Sequence, residues 1–142
     1  MLRRVDAAQA LADLTEISSQ VVQVAIVDAG GAVLATTVEP ESRAARFVDG
    51  VARLVAEADA AGLARGLPGL AQLEAATLEG SVFVVRDADG GRTIAATTRP
   101  DPTVGLVFYD LKHCLRSIAE EEKEEAPAPA PRRRKKAADG AE

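Results

Sequence analysis

His113 and Cys114 stand side by side, and each is the single residue of its type in the chain. A histidine beside a cysteine is where nucleophilic chemistry would be sought, because an imidazole can take a thiol proton. Their setting points elsewhere. His113 follows Lys112 on the polar side of a helical pattern and reads as a solvated ring, while Cys114 adjoins a core position and reads as a small buried or half-buried thiol. Asp87-x-Asp89 followed by Gly90-Gly91 has the opening of a calcium loop. A calcium loop needs oxygen ligands at its fifth and twelfth positions, and these are Gly91 and Thr98, so the segment is a hairpin turn. Arg86, Arg92 and Arg99, near strand ends, read as solvated charges. The chain has no G-x-x-x-x-G-K-[ST], no G-x-S-x-G and no H-E-x-x-H. One cysteine also excludes an internal disulfide framework and a multi-cysteine zinc site. The expectation is a protein that is not an enzyme and uses no cofactor or metal.

The chain's 142 residues suit one domain with a proper core. Hydrophobic residues make up 47% and charged residues 27%, ordinary for a globular protein. No apolar run approaches the ~18 residues that span a bilayer. Arg3-Arg4 have no apolar stretch behind them, so no signal peptide is read and a cytoplasmic protein is expected. The net charge is −5, and the part before the tail is itself acidic, offering no basic surface to nucleic acid.

The elements follow from periodicity. Asp6-Ala-Ala-Gln9 has the form of a capping box. Ala7, Ala10, Leu11, Leu14 and Ile17 then keep a helical period to about Ser18. Val21 to Asp28 is apolar on both faces, with Val22, Val24 and Ile26 alternating against Val21, Ala25 and Val27. That describes a strand covered on both sides. Asp28-Ala-Gly-Gly31 turns the chain and Ala32 to Val38 returns it, an antiparallel hairpin. Leu73, Ala75 and Thr77 alternate against polar neighbours in an edge strand within Leu70 to Glu79. Ser81 to Arg86 and Arg92 to Thr98 form a second hairpin. Asp101-Pro102 predicts a helix start, with Asp as N-cap and Pro in the first position. Val104, Val107, Phe108, Leu111, Leu115 and Ile118 hold one face of that last helix. The order is helix, two strands, long helix, three strands, helix: an α+β antiparallel sheet with helices on both faces.

The long helix, Ser42 to Arg65, has three sectors. Phe47, Val51, Leu54, Val55, Ala58 and Gly62 form an apolar arc, and Arg43, Arg46, Arg53 and Glu57 a solvated stripe. Between them lie the small residues Ala45, Ala52 and Ala56, bordered by Val48 and Asp59. A helix that only covered a sheet has no need of an alanine flank. Small side chains let a second helix approach closely, and Gly50, at about 1 kcal/mol relative to Ala, fits the same purpose.

These elements resemble the roadblock / dynein light chain family from about Leu11 to Ile118. The residues that carry the resemblance are Leu14-x-Glu16-Ile17, then Val24-Ala-Ile-Val-Asp28-x-Gly-Gly-x-Val33-Leu34-Ala35, and Gly105-Leu-x-x-Tyr109-x-Leu111. The resemblance implies a five-stranded antiparallel sheet with the long helix on one face and the first and last helices on the other. It also implies a homodimer in which long helices pair and edge strands join, which assigns Val48, Ala52, Val55, Ala56, Leu73 and Ala75 to the dimer interface. Members are scaffolds or regulators of Ras-like small GTPases, including bacterial ones, or subunits of motor and signalling assemblies. Ala45, Arg46, Asp49 and Arg53 are then the docking residues for a GTPase, with a signalling kinase as a further partner. No catalytic residue is implied.

Residues 119–142 lie outside the resemblance and read as a disordered, charged, Ala/Pro-rich tail. Ala126 to Pro131 alternates Ala and Pro, an extended spacer of about 19 Å, longer than the ~8 Å Debye length in physiological salt. Arg132, Arg133, Arg134, Lys135 and Lys136 follow. The alternative function places the protein as an adaptor of a signalling complex, tethered by these bases to anionic membrane or nucleic acid at ~1 kcal/mol per base.

Overall fold

Alternation builds the sheet. In β1 (Val21–Val27), β4 (Gly80–Arg86) and β5 (Thr93–Thr98), Val24, Ile26, Phe83, Val85, Ile94 and Ala96 point to one face, and Ala25, Val84 and Ala95 to the other. All of these are buried, so the three central strands are covered on both sides, as the doubly apolar runs require. β2 (Val33–Thr36) and β3 (Gln72–Thr77) are the edges, in the order β2-β1-β5-β4-β3. Every pair is antiparallel. The computed structural model describes residues 6–125, with side chains through residue 118.

Two layers flank the sheet. α1 (Ala7–Ile17) and α3 (Val104–Glu125) lie on one face, where Leu11, Leu14, Val107, Leu111, Leu115 and Ile118 meet the inner residues of β1, β4 and β5. Phe83 and Phe108 close this core edge to face, with centroids 4.9 Å apart. The opposite layer is a single helix, α2 (Glu41–Leu63), over a much smaller cluster of Val51, Val84 and Ala95. Since α2 joins the two edge strands, which run parallel across an otherwise antiparallel sheet, the connection must cross the whole face.

The local signals act largely as expected. Asp6 accepts from the Gln9 N–H at 3.0 Å, but Gln9 turns its amide to Asp13, so only half of the capping box forms. Asp28 Oδ1 closes the first hairpin by accepting from the Gly30 and Ala32 N–H groups, both at 2.9 Å. Asp89 Oδ1 does the same for Gly91 at 2.8 Å, so the Asp87–Gly91 segment is a hairpin turn. Gly66, at φ +74°, ends α2 while the Leu67 N–H reaches the Gly62 carbonyl at 3.0 Å, the six-to-one bond of a Schellman stop. Gly80, at φ +149°, has no substitute: a Cβ there runs into the Thr98 carbonyl oxygen.

Three expectations need correction. Asp101 is not an N-cap: it sits at φ +56°, and α3 begins after Thr103, whose carbonyl takes the first helical bond from Val107. Thr103 is itself held from outside, its N–H donating to Gln20 Oε1 at 2.6 Å. Ile17 and Val22 are exposed, because α1 ends in Ser18 and a register shift between Val21 and Gln23 breaks the alternation. Val104 is exposed at the start of α3. α3 is described to Glu125, and the rest of the tail, with Arg132, Arg133, Arg134, Lys135 and Lys136, lies outside the described residues.

Candidate interaction surface

α2 is amphipathic in the way its sequence implies, but shallowly docked. Of its 23 residues only Ala44 and Val51 are buried. Phe47 and Val55 pack part-way onto Val84 and Ala95, and Leu54 and Ala58, placed in the apolar arc, are only half-buried. Ala44 escaped the sequence reading, although its spacing to Phe47 and Val51 places it on the same stripe. Ala45, Ala52 and Ala56 all face solvent, and so do Arg43, Arg46, Asp49, Arg53 and Glu57. Arg53 Nε lies 3.8 Å from Asp49 Oδ2 with both side chains more than 70% exposed, a pair worth a few tenths of a kcal/mol at most.

Beside α2 a groove of about 180 Å³ opens onto the sheet. Val48, Val51, Ala52 and Val55 form its helical wall, Ala25 and Val27 of β1 and Thr93 and Ala95 of β5 its floor, and Asp28, Ala29 and Gly31 its end. Three of the six expected interface residues, Val48, Ala52 and Val55, therefore meet at one apolar concavity. Leu73 and Ala75 lie apart from it. They share the α2 face but sit at the far edge, opposite Val84 and Val82 of β4. Ala56 is exposed and lines neither place. Ala45, Arg46, Asp49 and Arg53, the expected docking residues, stay together on the outer surface of α2.

One element of this surface was misread as solvated charge. Arg86 Nη2 lies 2.9 Å from both carboxylate oxygens of Asp59, and its Nε donates to the Leu70 carbonyl at 2.9 Å. Asp59 also accepts from the Leu70 N–H at 2.6 Å. That N–H, and then the Arg86 guanidinium, hold the Asp59 carboxyl below its ordinary value. A lowered folded-state pKa gives stability that is full above the unfolded value of about 4 and is lost as pH falls through the folded one. Wild type should therefore lose more of its urea midpoint between pH 7 and pH 3 than Asp59→Asn does. Equal losses would show that this pair does not contribute. Arg92 is likewise drawn in, 3.8 Å from Asp87 Oδ2 with both side chains about four-fifths covered.

The other layer holds the residues that first suggested chemistry. His113 is exposed and stacks at 6.3 Å on the exposed ring of Tyr109. Cys114 is buried, and its Sγ donates to the Ala10 carbonyl at 3.5 Å. Burial first, and the Asp13 charge second, push the thiol up to about 12. Native protein at pH 8 should leave Cys114 unlabelled by a thiol reagent over minutes, while urea-unfolded protein reacts at once; fast native labelling would contradict this packing. Among the described residues no three acidic, histidine or cysteine side chains are grouped to hold a metal ion. No described helix is long and apolar enough to cross a membrane.

No family model and no curated protein matches the chain in sequence. Solved structures do match in shape. A roadblock/LC7 domain from Streptomyces avermitilis superposes with a TM-score of 0.69 at 14% identity, over 79% of this chain and 93% of that one. The gliding protein MglB from Thermus thermophilus gives 0.68 at 15% identity, over 83% and 89%. MglB from Myxococcus xanthus gives 0.65 at 11% identity, over 86% and 88%. With the order β2-β1-β5-β4-β3, one helix on one face and two on the other, the chain has the roadblock/LC7 fold.

Proposed function

We propose that this protein is a non-enzymatic, homodimeric regulator or scaffold of the roadblock type that binds a Ras-like small GTPase through its paired long helices. The observation that carries the reading is the mismatch between the length of α2 and its packing: 23 residues, of which two are buried. A helix that completes a monomer's core buries a continuous stripe. Here the alanine flank and the groove beside Val48 and Ala52 stay open. A second α2 laid along that flank brings two backbones to within about 8–10 Å and covers the apolar wall. β3, with unpaired backbone on its outer side, offers a sheet edge for the same partner. The likeness to MglB structures, one of them described as a tetrameric arrangement, supports a self-associating chain. The roadblock resemblance supplies the GTPase.

On this reading Ala45, Arg46, Asp49 and Arg53 remain outside the helix pair and meet the GTPase. Sedimentation of the wild type should give twice the chain mass, and a Ras-like GTPase from the same source should co-sediment with it. Arg46→Glu and Arg53→Glu should leave the dimer mass unchanged and weaken GTPase binding by about tenfold each, the scale of a contact charge reversed. Normal GTPase binding by both variants would remove this strip from the interface.

A further inference from the structure

The Asp59–Arg86 pair does more than satisfy two charges. It joins three elements at one point: the last third of α2 through Asp59, the entry to β3 through the N–H and carbonyl of Leu70, and the end of β4 through Arg86. The Arg86 N–H adds a bond to the Ala71 carbonyl at 2.9 Å. Between Leu63 and Leu67 the backbone bonds close only onto the last turn of the helix itself. From residue 63 to residue 69 every side chain is exposed.

We infer that this clamp is what fixes α2 relative to the β3 edge, and that self-association depends on it. The inference rests on the proposed dimer, whose surface is divided between α2 and β3. Two separate patches bind one rigid partner well only if their spacing is set beforehand, because ordering them during association opposes binding. Apolar packing does not set that spacing alone, with Ala44 and Val51 the only buried residues of the helix and Asp59 lying beyond both. The planar guanidinium spans two partners at a fixed spacing, the Leu70 carbonyl through Nε and the Asp59 carboxylate through Nη2, and the Leu70 N–H, a second donor on that carboxylate, removes the remaining freedom. Asp59 and Arg86 are thus positioning residues for the interface.

The test uses the full chain. Asp59→Asn keeps the size and an acceptor for Leu70 but removes the charge; Arg86→Lys keeps the charge but removes the fork. Self-association would be followed by sedimentation over a concentration series. Amide hydrogen exchange would be read for residues 63–71 and for the α3 core. The expected result is a dimer dissociation constant raised at least tenfold in both variants. Exchange should quicken in residues 63–71 while the α3 amides keep their protection. A merely stabilising pair would instead lower protection in both regions together, and that outcome overturns the inference. If the wild type is a dimer and both variants associate equally well, the clamp is irrelevant to association although the dimer stands. A wild type that stays monomeric at all concentrations overturns the dimer itself. Should Asp59→Asn fail to fold, Arg86→Lys decides by the same readings.

Discussion

Ala52→Arg is expected to sediment as a folded monomer that no longer binds the GTPase. Ala52 is exposed and lines the open groove beside α2, so an arginine there meets nothing within its own chain that must move. Arginine is nearly as good a helix former as alanine, and the helix itself should persist. In a helix pair the same position faces the partner. A long cation buried there without a counter-charge costs about 3–5 kcal/mol, which is more than about 100-fold in the dissociation constant. Far-UV circular dichroism should match the wild type while the sedimenting mass halves. A variant that stays dimeric and binds the GTPase normally would make α2 a simple sheet cover and remove the basis of the proposed function.

The second large effect belongs to the opposite layer. Leu111 has no exposed surface and sits among Val107, Leu115 and the inner residues of β4 and β5. Leu111→Ala should cost about 2–5 kcal/mol in urea unfolding, from lost transfer energy and from the cavity left behind. That is a large share of the ~5–15 kcal/mol that holds a domain of this size. Wild type and variant must be compared at equal concentration, because self-association stabilises the folded state by mass action. A loss under about half a kcal/mol would mean that the α3 face turned to the sheet has been misassigned. The two substitutions separate the layers: one should abolish association and spare the fold, the other weaken the fold wherever it occurs.

The sequence by itself determined the elements, their order and the antiparallel sheet. Those depend on short-range physics. Val24, Ile26, Phe83, Val85, Ile94 and Ala96 alternate because a strand shows successive side chains to opposite faces. Val107, Leu111, Leu115 and Ile118 recur because a helix turns every 3.6 residues. The glycine turns and the Asp6 cap act within a few residues of themselves. The three sectors of α2, and with them the surface proposed here for a partner, were legible for the same reason.

Only the tertiary structure decided what depends on residues distant in sequence. Arg86 was read as solvated because its partner is 27 positions away, and no local pattern pairs an arginine at a strand end with an aspartate on a helix flank. Asp101-Pro102 carries a good helix-start signal. Its backbone is instead set at φ +56°, and the start moves to Thr103, which Gln20 holds from 83 positions away. How deeply α2 sinks onto the sheet is likewise absent from its hydrophobic period. Period reports which side of a helix is apolar; depth is set by the side chains it meets, and against Val84 and Ala95 only Val51 is buried while Phe47 and Val55 are covered in part. The groove left beside Val48 and Ala52 is the direct consequence.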